Sequence, residues 1–284
     1  MHDETKEPDY LADDVITGGQ VYAWMLHPNY PGLRVSEASK ALARANVARN
    51  PEFAQLPQNS RSFVRRVARH IVNSGITQII DLGSGLPTDS STHQVAQAVD
   101  PQAKVVYVDA EEFTIDQAEE MLGGDPNVAF VHRDICEMDA ILDDPQTKRL
   151  IDFDQPIGLM MASVIHLVSE EHCREVAGVS THELVRAYLD RLPAGSMFAF
   201  EHFTSDGQNP AEIQALNDLE LGVVFRPVSE IRGYFDGLDI VQPYLGDDVI
   251  DPPDVVWSNR WRHPQPEKAD RTGSFIWGGL GIKR

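Results

Sequence analysis

The chain of 284 residues has the composition of a globular protein, with 42% hydrophobic and 24% charged residues. Its formal net charge of −20 disfavours a nucleic-acid partner, because phosphate backbones are bound by an excess of Lys and Arg. No apolar run approaches the roughly 18–20 residues of a membrane span, and the acidic start does not match a secretory signal. We therefore predict a cytoplasmic protein that contacts neither nucleic acid nor membrane.

The two cysteines, Cys136 and Cys173, suit free thiols in a reducing compartment. The sequence contains no C-x-x-C and no H-E-x-x-H pattern. We therefore predict no metal site.

The N-terminal quarter of the chain has two helical patterns behind an acidic start. Residues 1–16 lack apolar periodicity, which indicates a flexible lead-in. One helix is predicted over residues 35–49, and a second over residues 60–73 with Ser60 as its N-cap. We assign residues 17–75 to an N-terminal helical extension and residues 76–284 to the core domain.

Short apolar runs alternate with helix-like segments from residue 77 onward. The predicted strands are residues 78–81, 104–109, 128–132, 157–162, 196–200, 238–244 and 274–282. Continuous apolar strands between helices predict an α/β fold with a mostly parallel sheet covered on both faces. The connection at residues 246–272 holds four prolines, so we expect a lid or pocket wall without regular helix or strand.

A glycine turn directly follows the first predicted strand, in the segment Asp81-Leu82-Gly83-Ser84-Gly85-Leu86-Pro87-Thr88. Gly83 and Gly85 allow a ligand to approach the backbone closely, beside the free N–H groups of a helix start. A dinucleotide site prefers a third glycine where this chain has Thr88, and Pro87 removes a further N–H.

The next two strands also end in carboxylates. Asp109 closes the second strand and can accept both hydroxyls of a ribose, which suits any adenosine ligand, NAD included. Asp134 follows the third strand and can accept from an adenine amine, while Ile135 covers a ring face. Acidic residues at three successive strand ends predict an adenosine-containing ligand at the carboxyl edge of the sheet.

This order of residues is similar to that of class I S-adenosylmethionine-dependent methyltransferases. More narrowly, the chain resembles the actinobacterial S-adenosyl methyltransferase family that was long classed as a domain of unknown function. The specific segments are Leu86-Pro87-Thr88 and Thr92-His93-Gln94-Val95-Ala96-Gln97, and the resemblance covers roughly residues 15–284. It implies a Rossmann-like, seven-stranded sheet in the order 3-2-1-4-5-7-6, an N-terminal extension over the cofactor, and a small-molecule acceptor.

The resemblance also implies a place for each cofactor contact. It places the methionine moiety above Asp81, Gly83 and Gly85 and beside Ser163 and Val164. It places the ribose at Asp109 and Ala110, and the adenine at Asp134 and Ile135. It assigns the cofactor carboxylate to Arg61 and puts Gly19 and Tyr22 in a looser N-terminal motif. Arg61 suits its role because a guanidinium can grip a carboxylate with two hydrogen bonds.

Three residues are candidate bases for an acceptor that must lose a proton. His166 follows the fourth predicted strand, and Glu201 and His202 follow the fifth, where the family pattern has Ser-His. Successive strand residues face opposite sides, so Glu201 and His202 are not both expected in the site. The departure from the family pattern favours Glu201 as the base.

The acceptor and two other function classes stay open. Aromatic residues could form a wall for a flat acceptor such as an indole of secondary metabolism; they are Tyr22, Trp24, Trp257, Trp261 and Trp277. The alternatives are a non-catalytic S-adenosylmethionine-binding regulator and a nicotinamide-dependent oxidoreductase. A homodimer is also left open.

Replacement of Asp109 by Ala is expected to weaken S-adenosylmethionine binding at least tenfold. The change removes two hydrogen bonds to a charged acceptor, each worth roughly 1.5–3 kcal/mol. Titration calorimetry measures the effect, with Glu112→Ala as the control for a nearby carboxylate. Unchanged affinity in a folded Asp109→Ala protein would contradict the ribose assignment.

Overall fold

Apolar strands at the centre of the protein form one mixed sheet. The computed structural model describes residues 9–49, 51–88, 90–217, 222–245, 250–264 and 275–284. The strands are β1 (Gln78–Leu82), β2 (Lys104–Asp109), β3 (Val128–His132), β4 (Gly158–Ala162), β5 (Met197–Phe203), β6 (Leu238–Ile240), β7 (Val256–Trp257) and β8 (Ile276–Lys283). Their order is β3-β2-β1-β4-β5-β8-β6, and β7 pairs with β8.

The order of the sheet confirms the predicted Rossmann-like topology. Strands β1 to β5 are parallel, while β8 is antiparallel to β5, β6 and β7. The two-residue strand β7 was not predicted, and it shifts the number of the last strand from seven to eight. Without β7, the observed order is the expected 3-2-1-4-5-7-6.

Helices pack on both faces of the sheet, as predicted. They are α1 (Gly18–Leu26), α2 (Glu37–Arg49), α3 (Leu56–Asn73), α4 (Thr92–Gln97), α5 (Glu112–Leu122), α6 (Met138–Leu142), α7 (Pro145–Leu150), α8 (Glu170–Ala177), α9 (Thr181–Arg191), α10 (Pro210–Asn217) and α11 (Val228–Gly233). None of the described helices is long and apolar enough to cross a membrane.

Alternation along the strands divides the core into two layers. In β1, Ile80 packs in the cluster that holds Tyr188 of α9, while Ile79 packs in the cluster that holds Ile71 of α3. Adjacent strand residues point to opposite faces, so a strand that is apolar throughout is buried between two helical layers.

The N-terminal extension contains one more helix than predicted. Thr17 caps α1, since its hydroxyl accepts from the Gln20 N–H at 3.2 Å. Helix α3 begins at Leu56, four residues before the predicted start at Ser60. Pro57 is compatible with this earlier start, because the first turn of a helix does not use the N–H that proline lacks.

The described part of the predicted lead-in, residues 9–16, contacts the rest of the protein. Tyr10 is buried, and its ring centroid lies 6.3 Å from that of Phe113. The Gln20 side chain donates to the Tyr10 carbonyl at 3.0 Å. These contacts fix the segment against the core, whereas residues 1–8 lie outside the described residues.

The proline-rich connection is not a pocket wall in its described part, residues 250–264. It contains β7 and a 3-10 turn, Ser258–Arg260, and it buries Trp261 completely. The Trp261 ring packs edge-on against Phe63 of α3 at 5.8 Å, and Arg66 donates to the Ser258 carbonyl at 2.7 Å. This part of the connection is therefore a core element; residues 246–249 and 265–272 lie outside the described residues.

Replacement of Trp261 by Ala is expected to lower the free energy of unfolding by roughly 3–5 kcal/mol, because a large buried ring leaves a cavity. Denaturant unfolding measures the loss. Half-buried Trp257 provides the control, and Trp257→Ala should cost less than half as much. Equal losses in the two variants would contradict the core assignment of Trp261.

Candidate active site

A cavity of about 340 Å³ opens at the carboxyl ends of the parallel strands, under α1 and α3. All twelve predicted cofactor residues line it: Gly19, Tyr22, Arg61, Asp81, Gly83, Gly85, Asp109, Ala110, Asp134, Ile135, Ser163 and Val164. His166 also lines the cavity, whereas Glu201 and His202 are not among its lining residues. The size falls within the range of small-molecule sites.

The glycine turn is fixed by a close contact from the end of β4. Gly83 and Gly85 have φ angles of 64° and 60°, in the left-handed region that favours glycine. A Cβ on Gly83 would lie 2.1 Å from Cγ2 of Val164, so no side chain fits there. A Cβ on Gly85 would meet nothing closer than an Arg61 nitrogen at 4.0 Å.

Two predicted carboxylates are buried beside this turn. Asp81 accepts from the Thr92 hydroxyl at 2.6 Å, and burial raises the pKa of Asp81 to about 6 although Thr92 and Arg61 oppose the shift. Asp109 accepts from the Gly85 N–H at 2.8 Å and the Glu111 N–H at 3.0 Å. Burial raises the pKa of Asp109 as well.

A third carboxylate, Glu111, lines the cavity but was not predicted. It accepts from the Thr17 hydroxyl at 2.6 Å and from the Gly19 N–H at 2.9 Å. Burial raises the pKa of Glu111. Its position two residues after Asp109 is the only sequence signal that could have indicated it.

The fourth carboxylate, Asp134, is oriented by two donors. It accepts from the Cys136 N–H at 2.8 Å and lies 2.6 Å from Nε2 of His172. Burial raises the pKa of Asp134, but these hydrogen bonds outweigh it and the net shift is downward. Beside it, the Tyr188 hydroxyl donates to the Ile135 carbonyl at 2.7 Å.

The side chains of Asp134, Cys136 and His172 also place three potential metal ligands within 4.8 Å of one another. Burial raises the pKa of the Cys136 thiol, which favours the protonated form over the thiolate that binds metals. Asp134 and His172 already satisfy each other. We assign no metal to this group.

Arg61 is the only Arg or Lys among the described lining residues, which include four carboxylates. It is 5% exposed, and its Nε has no hydrogen-bond partner among the described residues. One terminal nitrogen lies 3.5 Å from the Leu86 carbonyl, and the Tyr22 ring lies 5.9 Å from the guanidinium carbon. Arg61 thus retains donors for an anionic group of a ligand.

The prediction that Glu201 follows the end of the fifth strand is wrong, and Glu201 is not among the described residues that line the cavity. Glu201 is fully buried, and one of its oxygens accepts from the hydroxyls of Ser60 and, at 2.7 Å, Ser163. Burial raises the pKa of Glu201. The error came from the predicted end of the fifth strand at residue 200: β5 continues to Phe203, which lines the cavity instead.

His202 is a structural residue rather than a candidate base. It is fully buried, its Nδ1 donates to the Phe203 carbonyl at 2.7 Å, and its Nε2 accepts from Arg226 at 3.2 Å. Burial lowers the pKa of His202 to about 3, so the ring is neutral. Both ring nitrogens are satisfied, which leaves none for a substrate.

His166 is the one predicted base that lines the cavity. It is 4% exposed, and its Nδ1 has no hydrogen-bond partner among the described residues. Burial, with help from His202 and Arg226, lowers the pKa of His166 well below its usual value, so the imidazole is neutral. Its ring centroid lies 4.2 Å from that of Phe203.

One end of the cavity is apolar, and we call this the apolar half. Its residues line the cavity and pack in one hydrophobic cluster: Met25, Phe53, Leu56, Phe203 and Ile276. Of the predicted aromatic wall, Tyr22 lines the cavity. Trp257 and Trp277 pack edge-on against each other at 6.1 Å, and Trp24 lies under Arg44.

Comparison with known proteins identifies relatives along the whole chain. The model of a family described as S-adenosyl methyltransferase matches residues 4–284. A provisionally assigned methyltransferase from Thermobifida fusca is 29% identical, with 99% of each chain covered and a TM-score of 0.83. A DUF574 family protein from Streptomyces avermitilis shares the fold at 23% identity, with 96% of this chain and 100% of that chain covered and a TM-score of 0.82. No curated protein sequence matches.

Replacement of Gly83 by Ala is expected to destabilise the protein by two separate effects. Overpacking against Val164 costs roughly 1–3 kcal/mol, and the left-handed backbone a similar amount. Urea unfolding of Gly83→Ala, Val164→Gly and the double variant separates them, because Val164→Gly removes both Cγ2 and Cβ, which the new Cβ would meet at 2.1 and 2.4 Å, and so removes the overpacking cost only. Gly85→Ala, with open space at its Cβ, should show only the backbone cost. Equal losses from Gly83→Ala in both backgrounds would contradict the contact.

Proposed function

The chain belongs to the S-adenosyl methyltransferase family, and we propose that this S-adenosylmethionine-dependent methyltransferase acts on a small, uncharged and largely apolar acceptor. The observation that supports the proposal is the division of one cavity into two unlike parts. Four carboxylates and Arg61 lie around the strand ends, whereas the apolar half carries His166 at its border. The charged part at the strand ends suits the cofactor, and the apolar half suits the acceptor.

The charge of the cavity favours this cofactor over a dinucleotide. S-adenosylmethionine supplies an electrophilic methyl group on a positively charged sulfur. A cation is attracted by the four carboxylates of the cavity. It also offsets the free-energy cost of burying the charged forms of Asp81 and Asp109, the cost that raises their pKa. The pyrophosphate of a nicotinamide cofactor would meet the same carboxylates with one arginine as its counter-charge.

We infer the individual cofactor contacts from chemistry and placement. Asp109 has lone pairs beyond those used by Gly85 and Glu111, and these can accept ribose hydroxyls. Asp134, fixed by His172, can accept from the adenine amine. Arg61, the one guanidinium among the described lining residues, can hold the cofactor carboxylate.

The acceptor is expected to be uncharged, and a flat aromatic compound of secondary metabolism, such as an indole, meets the requirements. An anionic acceptor would face the carboxylates without a free cation among the described residues of the apolar half. The rings of Phe53 and Phe203 offer stacking surfaces. The imidazole of His166, which burial keeps neutral, lines the cavity and can accept a hydrogen bond from an N–H or O–H of the acceptor.

The chemical roles of the protein are alignment, exclusion of water and acceptance of a proton. Methyl transfer from a sulfonium is an in-line displacement, so its rate depends on how well the acceptor is oriented. The apolar half excludes water from the reacting groups. His166 borders the apolar half with an imidazole that is unprotonated at neutral pH; burial makes it a weaker base than a free imidazole, so its role is to accept a hydrogen bond from the acceptor N–H or O–H and take its proton as the methyl group is transferred.

The test is a transfer assay with S-adenosylmethionine labelled in its methyl group, run on panels of indoles, phenols and anionic analogues. Release of S-adenosylhomocysteine with a labelled, uncharged product supports the proposal. Tight S-adenosylmethionine binding without turnover on any acceptor would favour the regulatory alternative. Preferred transfer to the anionic analogues would contradict the acceptor class.

Replacement of His166 by Phe, which keeps a ring but removes both nitrogens, is expected to lower turnover by about 100-fold, the usual size of a general-base effect. Cofactor affinity should stay the same. Glu201→Gln should weaken cofactor affinity instead, because Glu201 holds Ser60 and Ser163 next to the cofactor residues Arg61 and Val164. Calorimetry and initial rates compare the two variants. Full turnover in His166→Phe, or lost turnover at normal affinity in Glu201→Gln, would contradict these roles.

A further inference from the structure

Helix α1 lies over the cofactor part of the cavity and is tied to the opposite wall by one side chain. Gly18, Gly19 and Tyr22 of α1 line the cavity. The carboxylate of Glu111, just after β2, accepts from the hydroxyl of the N-cap Thr17 at 2.6 Å and from the Gly19 N–H at 2.9 Å. A carboxylate at a helix N-terminus also interacts favourably with the helix dipole.

The contact is close because Gly19 has no side chain. A Cβ at this position would lie 2.6 Å from an oxygen of Glu111. The other side-chain hydrogen bonds of α1 join it to the segment before it or to the N-terminal extension: Gln20 donates to the Tyr10 carbonyl and accepts from the Ser36 N–H, and the Tyr22 hydroxyl donates to the Pro57 carbonyl. Among the described residues, the hydrogen bonds from Thr17 and α1 to the core domain both end on Glu111.

Glu111 is also linked to the proposed ribose-binding residue. Its backbone N–H donates to Asp109 at 3.0 Å, so the segment that carries Asp109 and the helix above the cavity meet at this residue. Near Gly18 the core domain offers only an apolar side chain: a Cβ built on Gly18 would lie 3.7 Å from the methyl carbons of Leu167. Loss of the Glu111 carboxylate therefore removes the polar tie between α1 and the core domain at the cavity.

We propose that Glu111 is a positioning residue that holds α1 closed over the cavity and thereby sets the rate at which the cofactor leaves. This inference rests on the proposed function, because it assumes that the cofactor occupies the cavity beneath α1. Each turnover requires exchange of the used cofactor for a fresh one. Exchange then requires the two hydrogen bonds of Glu111 to break.

Two measurements on four single variants and one double variant test the proposal. Hydrogen exchange of the α1 amides in the cofactor-free protein reports helix opening, and stopped-flow displacement of S-adenosylhomocysteine reports cofactor release. Glu111→Gln places an amide N–H₂ opposite one of two donors, and Thr17→Val removes the hydroxyl donor. Thr17→Ser keeps the hydroxyl, and Glu112→Gln is the matched control at the exposed neighbouring carboxylate.

Glu111→Gln and Thr17→Val are expected to raise both rates at least tenfold, which is the effect of losing one charge-assisted hydrogen bond. Thr17→Ser and Glu112→Gln should match the unmodified protein. The double variant Glu111→Gln/Thr17→Val should be no faster than the faster single variant, because both changes break the same tie. This pattern would support the proposal.

The overturning result is distinct from a failure of the proposed function. If Glu111→Gln speeds cofactor release while Thr17→Val and the α1 amides are unaffected, Glu111 contacts the cofactor directly and the proposal is wrong. If Glu111→Gln does not fold, equal rates in Thr17→Val and Thr17→Ser overturn it. Failure of the unmodified protein to bind S-adenosylhomocysteine would instead contradict the proposed function, and the exchange measurement on α1 would still stand.

Discussion

The architecture of the site depends on the cost of keeping several carboxylates out of water. Asp81, Asp109 and Glu111 are each held with a raised pKa by burial, and Arg61 is the only Arg or Lys that faces them among the described lining residues. Backbone and hydroxyl donors satisfy their oxygens but add no positive charge. A cationic ligand offsets this cost and an anionic one increases it, which links the fold to the chemistry of a sulfonium cofactor.

The gathering of the proposed cofactor residues around one cavity could be predicted from sequence where the signals are local. In a parallel sheet the carboxyl ends of the strands meet at one edge, so residues that follow successive strands come together without knowledge of the packing. Gly83 carries such a signal: its left-handed φ and its contact with Val164 both require glycine. Asp109 is a carboxylate at the end of a clearly apolar strand, and its place needed no long-range information.

The acceptor part could not be predicted, because it depends on long-range packing. Glu201 resembled a residue beyond a strand end, but β5 continues to Phe203, and one oxygen of its buried carboxylate accepts from Ser60 of a distant helix. Trp261 resembled a pocket wall, but Arg66 of α3 fixes the carbonyls of its loop and the ring enters the core. Partners from distant segments leave no periodic or spacing signal.

Two helices of the N-terminal extension, α1 and α3, each carry residues of both parts of the cavity. On α1, Gly19 lies at the cofactor carboxylates, whereas Met25, six residues later, packs in the apolar half. On α3, Leu56 belongs to the apolar half and Arg61 faces the carboxylates. Changes at the far turns of these helices can reshape the acceptor surface without touching the Glu111 contact or the glycine turn. On the proposed function, acceptor specificity can therefore diverge on the extension while the sheet edge keeps the proposed cofactor contacts.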